Sequence, residues 1–94
     1  MYFVYILLCD KDFFYVGLSD NLEERLQDHT SGYSPYTRRF SEIELVHSER
    51  YPKRSQAERR EKQIKGWSKA KKKALIGGDR EKLRELSKSK SWAW

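Results

Sequence analysis

Tyr5, Tyr15, Arg25, His29 and Glu61 are side chains that can bind an anion and move protons around it. Two aromatic and aliphatic runs, 2–9 and 13–18, are separated by Asp10, Lys11 and Asp12, which reads as a β-hairpin with a short polar loop. Pairing Cys9 with Phe13 places Tyr5 opposite Gly17 and Leu7 opposite Tyr15. Side chains alternate along a strand, so Tyr5, Tyr15 and Gly17 share a face, and a one-residue slip would separate the tyrosines. Glycine weakens a strand, and opposite a tyrosine it leaves space for a ligand or a ring. Taken alone, a hairpin face with two tyrosines reads as core.

Arg25 and His29 are four residues apart and project from one side of a helix. An arginine fork grips phosphate at two points, and a histidine one turn away can donate to the same anion or shuttle a proton. A solvated helix surface explains this pair equally well. Ala57, Glu61, Ile64 and Ser68 fall in one helical stripe, so Glu61 lies in the row that should face the sheet. A carboxylate there is costly unless it is paired or binds a metal. The competing explanation is a Glu61–Lys65 pair one turn apart.

Asn21 is an expected N-cap with Glu24 as its capping-box partner, for a helix that runs through Leu22 and Leu26 to Thr30 and stops at Ser31-Gly32. Residues 33–41 read as irregular, and Ile43, Leu45 and Val46 mark a third strand ending near Tyr51-Pro52. Ser55 to Glu58 reads as a capping box opening a helix that continues to about Leu75, before Gly77-Gly78. Asp79 would cap a last helix carrying Leu83 and Leu86. The order β-β-α-β-α-α predicts an α+β fold, a small, mainly antiparallel three-stranded sheet flanked by helices. Residues 1–86 form the expected domain, and the Lys/Ser-rich 87–94 an expected disordered tail.

With 94 residues the chain suits one domain. Its net charge of +6 favours polyanionic partners, nucleic acid first, and its charged fraction of 36% marks an unusually charged surface. Basic residues from Lys53 to Lys73 cluster around the long helix, a stripe that can track a nucleic-acid backbone or simply be solvated. No apolar run is long enough to span a membrane. Met1-Tyr2-Phe3-Val4 has no basic region of a secretory signal, so the expected location is cytoplasmic. Cys9 is the only cysteine and reads as a buried strand residue.

Phe3-Val4-Tyr5, Tyr15-Val16-Gly17, Asn21…Arg25…His29 and Glu61 together resemble the GIY-YIG nuclease superfamily, over residues 2 to about 76. Glu61 to Ser68 and Thr37-Arg38-Arg39 look most like its small stand-alone bacterial members. The resemblance implies an endonuclease hydrolysing DNA phosphodiester bonds, selective for branched or damaged DNA in repair or recombination. It implies that Tyr15 or Tyr5 activates the attacking water, that Arg25 binds the scissile phosphate, and that Glu61 holds one divalent ion, Mg2+ or Mn2+. His29 is also carried over as a catalytic residue, with Gly17, Thr37, Arg38, Arg39 and Lys65 as substrate contacts. The chain departs from the family in lacking the leading glycine of the first tripeptide and a placeable late asparagine. No separate DNA-binding domain is expected either, so the chain is expected to bind weakly, to recognise DNA shape or to need a protein partner for target choice. DNA is expected ahead of RNA. The alternative is a DNA- or RNA-binding protein without catalysis, using the same basic face.

Overall fold

The computed structural model describes residues 1–32, 34, 37 and 39–78. Arg38, the helix expected after Asp79 and the tail 87–94 lie outside the described residues. Three strands, β1 (Tyr2–Cys9), β2 (Phe13–Ser19) and β3 (Ile43–Tyr51), form an antiparallel sheet in the order β2-β1-β3. Three helices follow the strands in the expected α+β order: α1 (Leu22–Thr30), α2 (Arg54–Lys65) and α3 (Lys69–Ile76).

The hairpin has the register that its sequence predicts, with Tyr5 opposite Gly17, Leu7 opposite Tyr15 and Cys9 opposite Phe13. Its tip is closed by a bond from the Asp12 amide to the Cys9 carbonyl, with Asp10 and Lys11 both at positive φ (50° and 60°). Asp10 has a reason to be there. Its Oδ1 accepts from the amides of Ser41 and Glu42, at 2.9 and 2.7 Å, and ties the tip to the entry of β3. Lys11 makes no such contact among the described residues, and a left-handed conformation favours glycine. Lys11→Gly is therefore expected to stabilise the protein by about 0.5–1 kcal/mol, measured as a higher urea midpoint at unchanged slope.

Alternation along β1 divides the core in two. Val4 and Ile6, with Val16, pack under Ala57 and Ile64 of α2, whereas Tyr5, Leu7 and Cys9 pack with Leu22 and Leu26 of α1. α1 and α2 thus cover opposite faces. β3 serves both, because a bulge shifts its register between Ile6 and Leu7: Leu7 faces Leu45 while Ile6 faces His47, with Val46 as the extra residue. Ile43 consequently joins the α1 side, while Glu49 and Tyr51 lie opposite Val4 and Tyr2 on the α2 side.

Asn21 caps α1 as expected, its Oδ1 accepting from the Glu24 amide and its Nδ2 donating to the Glu24 carboxylate. The long helix differs from expectation in two ways. It begins one residue before Ser55, capped at Lys53, whose amide donates to the Gln56 side chain. It also ends at Lys65: Gly66 closes α2, and Ser68 starts α3 by accepting from the Lys71 amide at 3.2 Å. Gly66 favours a stop, and a serine two residues later is a better cap than a helix interior residue. The last helix of the described fold is therefore the second half of the helix expected to run to Leu75. No helix among the described residues is long and apolar enough to cross a membrane.

Candidate active site

Gly17 explains how Tyr5 is placed. A Cβ on Gly17 would meet the Tyr5 ring at 2.4 Å, so the space above this glycine holds the phenol itself, not a ligand. The side chain of Tyr5 thereby reaches from the central strand over β2 at Gly17. Tyr5 is only 1% exposed, and burial pushes its phenol up to about 12; Arg25 pulls the value down, while Tyr15 and Glu61 add to the rise. Tyr15 stands on the same face, its ring centroid 6.4 Å from that of Tyr5, as the hairpin register requires.

The Tyr5 hydroxyl lies 3.0 Å from His29 Nε2, and His29 Nδ1 lies 2.6 Å from Thr37 Oγ1. His29 and Thr37 are both buried. Burial, and secondarily the charge of Arg25, hold the imidazole below its ordinary pKa, so it is neutral at physiological pH. The Arg25 guanidinium interacts with the hydroxyls of both Tyr5 and Tyr15. One ring nitrogen of a neutral imidazole donates and the other accepts, so His29 links the Tyr5 and Thr37 hydroxyls in one hydrogen-bonded line. Thr37, expected from the sequence as a substrate contact, stands buried behind His29. Thr37→Val should leave the buried His29 Nδ1 without its hydrogen-bond partner and cost about 1–3 kcal/mol, read as a lower melting temperature.

Arg25 keeps an open side. Its side chain is 35% exposed, and it pairs only loosely with Asp28, at 3.9 Å. It lines a hollow of about 220 Å³ with Tyr2, Leu18, Ser19, Asp20 and Arg54. Arg54 opens α2, on the other face of the sheet, so α1 and α2 approach each other across the β2 edge. Glu61 lies on α2, in the opposite layer; its carboxylate is 21% exposed, and its charge is felt at Tyr5. The two tyrosines share a face as expected. The candidate site therefore draws on both layers at the β2 edge. Lys65 stands 3.5 Å from Glu61, the pairing that its helical spacing allows. Arg39 lies apart, its guanidinium 4.9 Å from the Phe40 ring.

Among the described residues no group of three or more His, Cys, Asp or Glu side chains could enclose a metal. A lone, partly open carboxylate still fits an ion such as Mg2+, which keeps waters and takes further oxygens from a phosphate. In the sequence Arg54 falls only within a general basic cluster, and no spacing pairs it with Arg25, because the two come to one hollow only through the packing of the helices.

A family model for the GIY-YIG catalytic domain matches residues 1–74. The chain belongs to the GIY-YIG family, a family of endonucleases. Its relatives include a UPF0213 protein of Natronomonas pharaonis, 39% identical over 79 residues, which cover 83% of this chain and 93% of the relative. A UPF0213 protein of Syntrophus aciditrophicus is 40% identical over 83 residues, covering 86% of this chain and 95% of the other. The solution structure of the UPF0213 protein BH0048 from Bacillus halodurans is similar, with a TM-score of 0.55 and 34% identity, over 93% of this chain and 98% of that one.

Proposed function

We propose that this protein is a divalent-metal-dependent endonuclease that hydrolyses DNA phosphodiester bonds, with a preference for branched or damaged DNA. The observation that carries the proposal is the hydrogen-bonded line Tyr5–His29–Thr37 beside Tyr15, with the partly exposed Arg25 guanidinium and the Glu61 carboxylate within electrostatic reach of Tyr5. Arg25 presents a cation to the scissile phosphate and to the charge that develops on it. Tyr15 is the tyrosine that an attacking water can reach and to which it can lose a proton, while the buried Tyr5, bonded to His29, backs the site. Tyr15, less buried and held by the same arginine, lies nearer the solvent side of the site. Glu61 would hold the ion, Mg2+ or Mn2+, which when bound polarises the phosphoryl oxygen and stabilises the leaving oxygen. Lys65 would exchange its contact with Glu61 for the substrate backbone.

The net charge of +6 supports a nucleic-acid partner, and a protein partner would supply target choice. The alternative is a DNA- or RNA-binding protein without catalysis, and it draws support from the Glu61–Lys65 pair. The test is cleavage of linear, nicked, flapped and four-way DNA, with RNA alongside, with and without Mg2+ or Mn2+. Metal-dependent cutting of DNA supports the nuclease reading, whereas binding without cutting on every substrate supports the alternative.

A further inference from the structure

Phe13 opens β2 at the hairpin tip and is 44% exposed. Its ring stacks on that of Phe40, with centroids 5.4 Å apart and planes 16° from parallel. The Arg39 guanidinium lies beside both rings, 4.9 Å from the Phe40 centroid and 6.0 Å from that of Phe13. Two aromatic planes and a planar cation thus form a platform that is covered on the Phe40 side and open at Phe13. Phe13 shares its face with Tyr15, two residues and about 7 Å further along the same edge strand. The surroundings carry both signs: Lys69 of α3 pairs with Asp12 beside Phe13 and Glu42 lies beside Phe40, while Arg39 and Lys11 are exposed at the tip and the charge of Lys73 is felt at Asp12.

We propose that Phe13, backed by Phe40 and flanked by Arg39, stacks an unpaired nucleobase of the nucleic acid held at the tyrosine–arginine site. The proposal rests on the nucleic-acid reading above and narrows its substrate to one with an unpaired nucleotide beside the scissile phosphate. A base inside a duplex has both faces covered by its neighbours, whereas an unpaired base offers a face that any aromatic ring can take. Arg39, Lys11 and Lys73 are the cations that would meet the phosphates on either side of that base. A second copy of this chain is disfavoured as the occupant, because it would bring an equal excess of positive charge to the same place.

The test uses the full chain in EDTA, where cleavage is suppressed, with a single-stranded oligonucleotide carrying 2-aminopurine and a fully paired duplex of the same length. The wild type should quench the 2-aminopurine on binding. Phe13→Ala should lose that quenching and bind the single strand roughly tenfold more weakly or worse, with duplex affinity nearly unchanged. Phe13→Trp should restore both signals. Phe13→Leu, which keeps an apolar contact with Phe40, serves where the alanine variant melts early, and it should also lose the quenching. Equal binding and quenching by wild type and Phe13→Leu overturns the proposal, as does an equal loss on both nucleic acids. A concentration-dependent dimer abolished by the same substitutions, with nucleic-acid binding unchanged, overturns it in favour of a second copy. In those cases the nuclease reading survives, whereas absence of any nucleic-acid binding by the wild type removes both.

Discussion

Glu61→Gln is expected to reduce DNA cleavage by roughly a hundredfold or more while leaving metal-free DNA affinity nearly unchanged. The substitution keeps shape and hydrogen-bonding capacity and removes the charge that would hold a divalent ion, whose charge stabilisation is worth on the order of several kcal/mol. A tenfold loss of rate corresponds to about 1.4 kcal/mol, so even part of that contribution is readily measured. Affinity should persist because the lysines and arginines outside the site supply it. Melting temperature should hold or fall only slightly, since the lost contact with Lys65 is a partly exposed helix pair worth a few tenths of a kcal/mol. Cleavage, affinity and melting must be measured on the same variant. Normal cleavage by Glu61→Gln would remove this residue from the mechanism and leave it as the partner of Lys65.

The second large effect concerns stability. Glu49, on β3, accepts from Tyr51 Oη and Arg60 Nε through one oxygen, and from Arg60 Nη2 and faces His47 Nε2 through the other. The Glu49 and Arg60 side chains are 17% and 19% exposed, so this clip between strand and helix is poorly screened. Burial pushes the carboxyl up, but the hydrogen bonds from His47, Arg60 and Tyr51 outweigh it and hold the pKa at about 2 against a reference of 4.5. A depressed carboxyl contributes stability that is complete above its unfolded value and is lost as pH falls through the folded one. For Glu49 that window runs from 4.5 down to about 2 and corresponds to about 3 kcal/mol. Glu49→Gln should therefore destabilise the neutral protein by on the order of 3 kcal/mol, because Arg60 is left without its counter-charge. The melting temperature should fall by roughly 10 °C or more. The difference between variant and wild type should shrink as pH is lowered through this window. His29 acts at higher pH: its depressed folded value makes stability fall as pH drops below 6.5, in wild type and variant alike. A parallel offset between the two stability curves down to pH 2 would show that Glu49 is not the group whose protonation is being read.

The hairpin could be read from the sequence because alternation, the polar tip and Gly17 all demand one register. The α1 cap and the third strand were legible for the same reason, since their signals lie within a few residues of each other. The break at Gly66 was concealed by a good helical periodicity on both sides of it, although Gly66 and Ser68 together were the available sign. The site was legible as a set of residues more than as a place. Helical spacing put Glu61 in the core-facing row and Arg25 beside His29, but no local pattern could say that α1 and α2 lie on opposite faces. The partnership of His29 with Thr37 and the clip of Glu49 with Arg60 join residues eight and eleven positions apart on different elements or loops, beyond the reach of any period. The stacking of Phe13 on Phe40 is hidden for the same reason.

The bulge at Ile6/Leu7 has a meaning for the evolution of chain length. Insertions and deletions are ordinarily absorbed in loops, where they alter no side chain's orientation. Val46 is an insertion written permanently into a strand, and it acts as a phase step: odd-numbered residues before it address one helix, and those after it address another. Removing that one residue would not shorten the sheet appreciably. It would invert one half of β3, turning either Ile43 and Leu45 or the Glu49 clip away from its own helix. A length change of one in this strand is therefore equivalent to scrambling four or five side chains at once, whereas the same change between α1 and β3 alters only a connection.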